Sequence, residues 1–301
     1  MRTNLLRSLS PAALALLLAV PASADFELQR ELALEPGGRF EIDADAGSLT
    51  VRGFEGSGVS VRITSAESEE EIAARYDIDF LEEAGRAAVR VKHRGRSWFG
   101  THRDRLHLEI RVPVETDLDL ETSGGGIEVR GIVGRVDLET SGGRVEIEDI
   151  TGEVDAHTSG GGMEAIDIEG DARLRTSGGR VSIDGVTGDL YASSSGGSIE
   201  VRDAAGHVDV STSGGPITAY LATGNGAGGS LSTSGGSVTV YVDPGVGLEV
   251  DASTSGGSVS LDMPVTVQGR LSRSSISGTL NGGGPTLRLR SSGGSIRLKS
   301  L

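Results

Sequence analysis

The chain has 301 residues, with 47 glycines, no cysteine, 3% aromatic residues and a formal net charge of −15. The missing cysteine excludes a disulfide scaffold and any thiolate metal centre. The acidic balance argues against nucleic acid and anionic membrane as partners.

The first 24 residues have the form of a secretory signal. Arg2 and Arg7 supply a positive start, and Ala12 to Val20 is a short apolar run. At about nine residues it is too short to span a bilayer. Ala22-Ser23-Ala24 reads as an A-x-A cleavage site, and removal of the signal leaves 26 basic against 43 acidic side chains, a net charge of −17. No lipid-attachment cysteine and no second apolar stretch follow. The expected product is a soluble, exported bacterial protein of the periplasm or the cell exterior, without a membrane span.

Residues 25–65 read as a first coil and its lead-in, with Val59 to Ile63 alternating as a strand. Residues 66–121 break the pattern that follows them. Ser68 and Glu71 form a capping-box pair before Ile72, which predicts a short helix. Tyr76 to Leu81, Ala88 to Lys92 and Leu106 to Val114 read as strands. Trp98 and Phe99 stand in a basic, glycine-flanked loop, Arg94 to Arg105. A solenoid needs an atypical terminal repeat over the open end of its core, so this stretch is expected to be a cap. Its aromatic loop offers a contact site as the alternative.

From Thr122 a four-residue signature recurs every 18 residues: Thr122-Ser123-Gly124-Gly125, then at Thr140, Thr158, Thr176, Ser194 and Thr212. It returns at Thr233, Thr254 and Ser291. A fixed period of this kind predicts a solenoid of stacked coils. Apolar residues keep register with the signature: Ile127, Val145, Met163, Val181, Ile199 and Ile217 in one column, and Val136, Val154, Ala172, Leu190 and Val208 in another. Their period of two predicts two short strands per coil facing a shared core. Gly124-Gly125 and the column Gly134, Gly152, Gly170, Gly188, Gly206 close the corners. An unordered Gly/Ser linker would not hold β-branched residues in aligned columns. The Thr/Ser column forms a hydroxyl ladder, which either satisfies turn backbone groups or presents a flat hydroxyl face to a ligand or ice. Past Thr212 the coils lengthen, with corner insertions at Gly224 to Gly229 and Pro244 to Gly247 and less regular stretches at Val265 to Leu271 and Ile276 to Leu280. Leu287 to Leu301 is expected to be the last coil, its Arg288, Arg290, Arg297 and Lys299 guarding the final edge.

A signal peptide, a first strand pair, a short acidic helix, a strand ending Val112-Pro113-Val114 and serial T-S-G-G-x-I-x-V units resemble the bacterial adhesin-like family designated domain of unknown function 4097. The resemblance covers roughly residues 38–301. It implies a parallel β-helix in an exported or envelope-associated protein and brings no catalytic residues.

Little points to chemistry. His93, His102, His107, His157 and His207 occupy unrelated positions without a cysteine or acid at ligand spacing. Carboxylates stack in columns, Glu128, Glu146, Glu164 and Glu200 in one and Asp137, Asp155 and Asp209 in another, so they are either solvated or bind cations. Arg130, Arg144, Arg173, Arg180 and Arg202 are interspersed, and no G-G-x-G-x-D calcium repeat occurs.

The reading is therefore an all-β chain: a parallel β-helix (β-solenoid) of about 18-residue coils, capped by an irregular N-terminal α+β segment. Its expected divisions are 1–24, signal peptide; 25–121, first coil and cap; and 122–301, repeat solenoid. The expected role is non-enzymatic, with no catalytic, cofactor or metal residues, and adhesin-like or structural. The partner would be an envelope or surface component, protein or polysaccharide. The alternative is a carbohydrate-active enzyme or carbohydrate-binding module on a pectate-lyase-like helix, which a concave site of clustered acids and aromatics would favour.

Overall fold

A computed structural model describes residues 26–95, 106–221, 228–263, 265–267 and 272–301. Residues 1–24, read above as a signal, together with Trp98, Phe99, His102, residues 224–227 and Gln268 to Leu271, lie outside the described residues. The chain forms a two-sided β-solenoid. Each coil gives one strand to a 13-stranded sheet and one to a 14-stranded sheet, and the two sheets enclose a single apolar core.

The N-terminal elements are β1 (Phe26–Leu32), β2 (Gly38–Ala44), β3 (Ser48–Phe54), β4 (Val59–Ser65), α1 (Glu69–Arg75), β5 (Tyr76–Glu83), β6 (Arg86–His93) and β7 (His107–Pro113). The regular coils follow as pairs: β8 (Thr116–Thr122) with β9 (Ile127–Val133), β10 (Val136–Thr140) with β11 (Val145–Thr151), β12 (Val154–Thr158) with β13 (Met163–Glu169), β14 (Ala172–Thr176) with β15 (Val181–Val186), β16 (Leu190–Ser194) with β17 (Ile199–Ala204), β18 (Val208–Thr212) with β19 (Ile217–Leu221), and β20 (Gly229–Thr233) with β21 (Val238–Val242). The chain ends with β22 (Leu248–Thr254), β23 (Val259–Leu261), β24 (Val265–Val267), β25 (Ser275–Leu280), β26 (Thr286–Ser291) and β27 (Ile296–Ser300).

Within the regular coils the period fixes the register. Val154 lies between Val136 and Ala172, and Thr158 between Thr140 and Thr176, all in parallel pairing. The predicted inward columns are fully buried, Val136, Val154 and Leu190 each at 0% exposure. Two local devices shape the coil. The second glycine of each signature packs against the coil below: a Cβ on Gly161 would sit 1.8 Å from the carbonyl oxygen of Gly143, whereas one on Gly160 meets nothing closer than 3.6 Å. The column Gly131, Asp149, Asp167, Gly185, Asp203 is left-handed, with φ from 46° to 74°. Glycine and aspartate tolerate this region best. This kink shifts the inward set from Val145 and Ile147 to Ile150 rather than to residue 149.

The predicted helix is present. Ser68 caps α1 and accepts from the Glu71 N–H, while the Glu71 carboxylate accepts from the Ser68 N–H, a full capping box. It places Ile72 in the core.

At both ends spatial order departs from chain order. β2 and β3 are not outermost. They lie between β8/β9 on one side and β6/β7 on the other, all parallel, with β5, β4 and β1 added outside as antiparallel strands. At the other end the expectation for residues 287–301 fails. β26 pairs with β20 on one side and β22 on the other, and β27 lies between β21 and β23. The last coil in sequence is thus an internal rung, and its cations guard no edge. In the 14-stranded sheet the outer positions are held by β25 and β24, each antiparallel to its inner neighbour, while the 13-stranded sheet ends in β23, parallel to β27. Antiparallel strands in both sheets at the N-terminal end, and in the 14-stranded sheet at the other, break the repeat where another parallel coil could otherwise add.

Candidate functional site: the outer sheet faces

The hydroxyl ladder is structural. Thr122, Thr140, Thr158, Thr176, Ser194 and Thr212 are buried. Thr158 Oγ1 donates to the Gly143 carbonyl of the preceding coil at 2.9 Å and accepts from the Gly161 N–H at 3.2 Å. The same pair of bonds recurs at Thr140, Thr176, Ser194 and Thr212. A flat hydroxyl face for a ligand or ice is therefore overturned for this column. Strand alternation points the threonine inward, and the serine after it is the exposed residue.

The carboxylate columns exist as read, with Glu128, Glu146 and Glu164 on successive rungs and Asp137 beside Asp155. They are interleaved with arginine. Arg130 bridges Glu128 and Glu148, each at 3.0 Å, and Arg144 joins Glu146 at 3.0 Å and also reaches Glu164. Arg135 links Asp137 at 2.8 Å to Glu153 at 3.2 Å, Arg173 lies 3.6 Å from Asp155, and Arg202 meets Glu200 at 2.6 Å. Arg180 instead donates to Ser198. These pairs are exposed and individually weak, but they offset the like-charge repulsion of the ladders. Among the described residues no group of three or more His, Asp or Glu side chains is arranged to hold a metal ion.

Among the described residues the histidines do not converge. His93 lies against the Tyr76 ring, with centroids 4.5 Å apart, and His107 Nδ1 shares a hydrogen bond with Ser48 Oγ at 2.7 Å. His157 is on the outer face of β12, beside Glu139 and Arg175 in the neighbouring strands. His207 is at a corner, where its backbone N–H donates to Asp189.

The lowered carboxylates all sit near the N-terminal end. Arg86 donates to Glu41 and holds its carboxyl below the usual range. Burial pushes Asp45 up, but the His93 N–H and Lys92 outweigh it and leave the group lowered. The Ser68 N–H holds Glu71 low through the capping box. A shallow recess of about 160 Å³ opens on this face, lined by Glu41, Asp43, Ala88, Arg90, Asp119 and Glu121. It contains acids but no aromatic residue.

The opposite end carries a different array, on the other sheet. Arg202, Tyr220, Tyr241 and Lys299 occupy one outward column on four successive rungs. The two tyrosine rings stack at 4.8 Å with 7° between their planes. The Arg202 guanidinium lies 5.1 Å from the Tyr220 centroid and the Lys299 ammonium 5.7 Å from that of Tyr241. Such contacts hold both rings in place on the outer face. Thr218, Thr239 and Arg297 form the adjacent column. The sequence held a signal for this array that the repeat analysis passed over: each of the four residues lies eight positions after the first residue of its own signature.

Among the described residues no helix is long and apolar enough to cross a membrane. A family model, Toastrack DUF4097, matches residues 38–299. No curated protein matches the chain. Among solved structures, a "putative adhesin" from Bacteroides fragilis aligns at 14% identity and a TM-score of 0.48, covering 92% of this chain and 97% of its own. A "putative adhesin" from Parabacteroides merdae aligns at 9% and 0.49, with coverages of 91% and 96%. A "putative lipid binding protein" from Parabacteroides distasonis aligns at 13% and 0.36, covering 91% and 96%.

Proposed function

The chain belongs to the Toastrack DUF4097 family, and from that premise we propose that it is an exported, non-enzymatic binding protein of the bacterial envelope or surface, adhesin-like in role. The observation that carries the reading is the Arg202–Tyr220–Tyr241–Lys299 column. Four rungs offer, in line, a guanidinium, two phenol hydroxyls and an ammonium, with threonine hydroxyls alongside. This array is preorganised by stacking, so little side-chain entropy is lost on contact. A flat, periodic, polar face suits an extended partner, a polysaccharide strand or a protein segment lying along the coil axis, better than a small molecule, which needs a concave pocket. The signal-like first 24 residues support export.

The test uses the mature chain, starting at Asp25, and its Tyr220→Ala/Tyr241→Ala variant. Capture of envelope polysaccharide or protein by the parent, lost in the variant with the far-ultraviolet spectrum unchanged, is the expected result. Equal capture by both would remove this face from the proposal. Fractionation of expressing cells checks export.

A further inference from the structure

The rung made by β26 and β27 lies between two rungs that precede it in the chain. Its burial is complete, with Leu289, Ile296 and Leu298 at 0% exposure. Its hydroxyl and glycine bonds are those of any regular coil. Ser291 Oγ donates to the Gly236 carbonyl at 2.9 Å on one side, and Thr254 Oγ1 donates to the Gly294 carbonyl at 2.6 Å on the other. The rungs that flank it, β20/β21 and β22/β23, therefore form a slot whose two walls bond this segment rather than each other.

The route into the slot is a short connection, held by a bond from Asn281 Nδ2 to the Val246 carbonyl at 2.9 Å and one from the Glu249 N–H to the Pro285 carbonyl at 3.0 Å. β25 lies on the outer side of β22, β26 on its inner side, and Asn281-Gly282-Gly283-Gly284-Pro285 passes over the start of β22 to join them. Asn281, Gly282 and Gly283 have φ of 48°, 90° and 88°, and nothing lies within 4 Å of where a Gly282 side chain would start. The segment also carries Arg288, Arg290, Arg297 and Lys299 and no acid, in an acidic chain, and Arg290 pairs with Asp251 of the slot wall at 2.5 Å.

We propose that the slot between β20/β21 and β22/β23 is a strand-exchange interface, filled by residues 286–301 of a second copy of this chain as well as by the chain's own. Every contact in the exchanged form is one already made within a single copy, so only the five-residue connection differs, the condition under which domain swapping costs least. Reciprocal exchange closes as a two-fold dimer. The tethered segment has the advantage of high effective concentration, so the single chain prevails when the connection is relaxed, and the dimer appears when it is strained or the protein concentrated. In the dimer each copy presents its own outer faces, which makes binding bivalent.

Two full-chain experiments test this. Arg290→Asp and Asp251→Arg each place like charges together in a monomer, but a reciprocally exchanged heterodimer restores an opposite pair at both slots. Each variant alone should melt a few degrees below the parent. The two refolded together should yield a species of twice the mass melting near the parent. Two independent monomer transitions with no heterodimer would overturn the proposal. The second variant deletes Asn281–Gly284. The remaining two Cα–Cα steps reach at most about 7 Å, against roughly 10 Å between strands two rungs apart, so the connection cannot close within one chain. Light scattering should show this variant as a dimer that dissociates only on unfolding. A folded monomer, or a chain that fails to fold at all, would count against exchange.

Discussion

The regular body, β8 to β21, and the two ends use the same coil, yet only the body stacks in chain order. Between Thr122 and Thr212 each coil pairs with its immediate predecessor and successor. At the ends, β6/β7 lies outside β2/β3 although it comes later, and β26/β27 lies inside β22/β23 although it comes last. The difference teaches that the repeat encodes a coil's shape and the chemistry of its two edges, but not which coil becomes its neighbour. Any two coils carrying the same columns in the same register are compatible.

That contrast can be broken first by length. Deleting residues 140–157 removes one body coil with all columns kept in register. Because solenoid stability is close to a sum over neighbours, the variant should fold, shorter by one rung. Deleting residues 140–148 sets corners against strands and should leave the chain insoluble or without β-structure by circular dichroism. Equal behaviour of the two would mean that the 18-residue coil is not the structural unit.

Next in size is a buried charge. Val154→Asp puts a carboxylate at a fully buried position between Val136 and Ala172. The expected loss is several kcal/mol, of order 3–5, read as a lowered denaturation midpoint. The outward neighbour Asp155→Asn should shift it by less than about 0.5 kcal/mol.

The signature's two glycines should then separate in sign. Gly161→Ala drives a methyl into the Gly143 carbonyl and should cost about 3 kcal/mol. Gly160→Ala meets only ordinary contacts and should stabilise by up to about 1 kcal/mol, through the unfolded chain. If urea titrations gave the same shift for both, the close approach of the coils would be wrong.

A smaller effect belongs to the hydroxyl ladder. Thr158→Val keeps the shape but strands the Gly143 carbonyl and the Gly161 N–H, at about 1–3 kcal/mol. Thr158→Ser keeps both bonds and should be close to neutral. Thermal midpoints of the pair decide this.

Acid is expected to act least, and on the N-terminal end rather than the body. Glu41, Asp45 and Glu71 have lowered pKa values in the folded chain. A lowered value contributes stability above the unfolded pKa and loses it as pH falls through the folded one. The loss therefore begins below the ordinary values of 4.5 for the glutamates and 3.8 for the aspartate. Hydrogen-exchange protection in residues 38–45, 68–75 and 86–93 should hold from pH 6 to about pH 5 and fall below about pH 4.5, while residues 140–215 change less. Uniform loss along the chain would contradict this placement.

The sequence alone determined the coil. A strict 18-residue period with in-register apolar columns leaves one way to bury Val136, Val154 and Leu190 together, because alternation sends each column to a fixed side of its strand. The capping box at Ser68 and Glu71 was equally legible, since it is a contact between residues three apart. Inward burial of the threonine column was open between two readings, because a lone column of hydroxyls does not say which face it occupies. The structure settled it through the glycine carbonyls 15 positions back. The Arg202–Tyr220–Tyr241–Lys299 column was present as an offset of eight, but the step from 18 to 21 residues hid it from a fixed-period search. What only the tertiary structure decided is the order of rungs at the two ends. Coils with identical edges compete equally for the same neighbours, and the winner is set by how far each connection reaches across the stack, as Asn281 to Pro285 does in carrying the chain over β22.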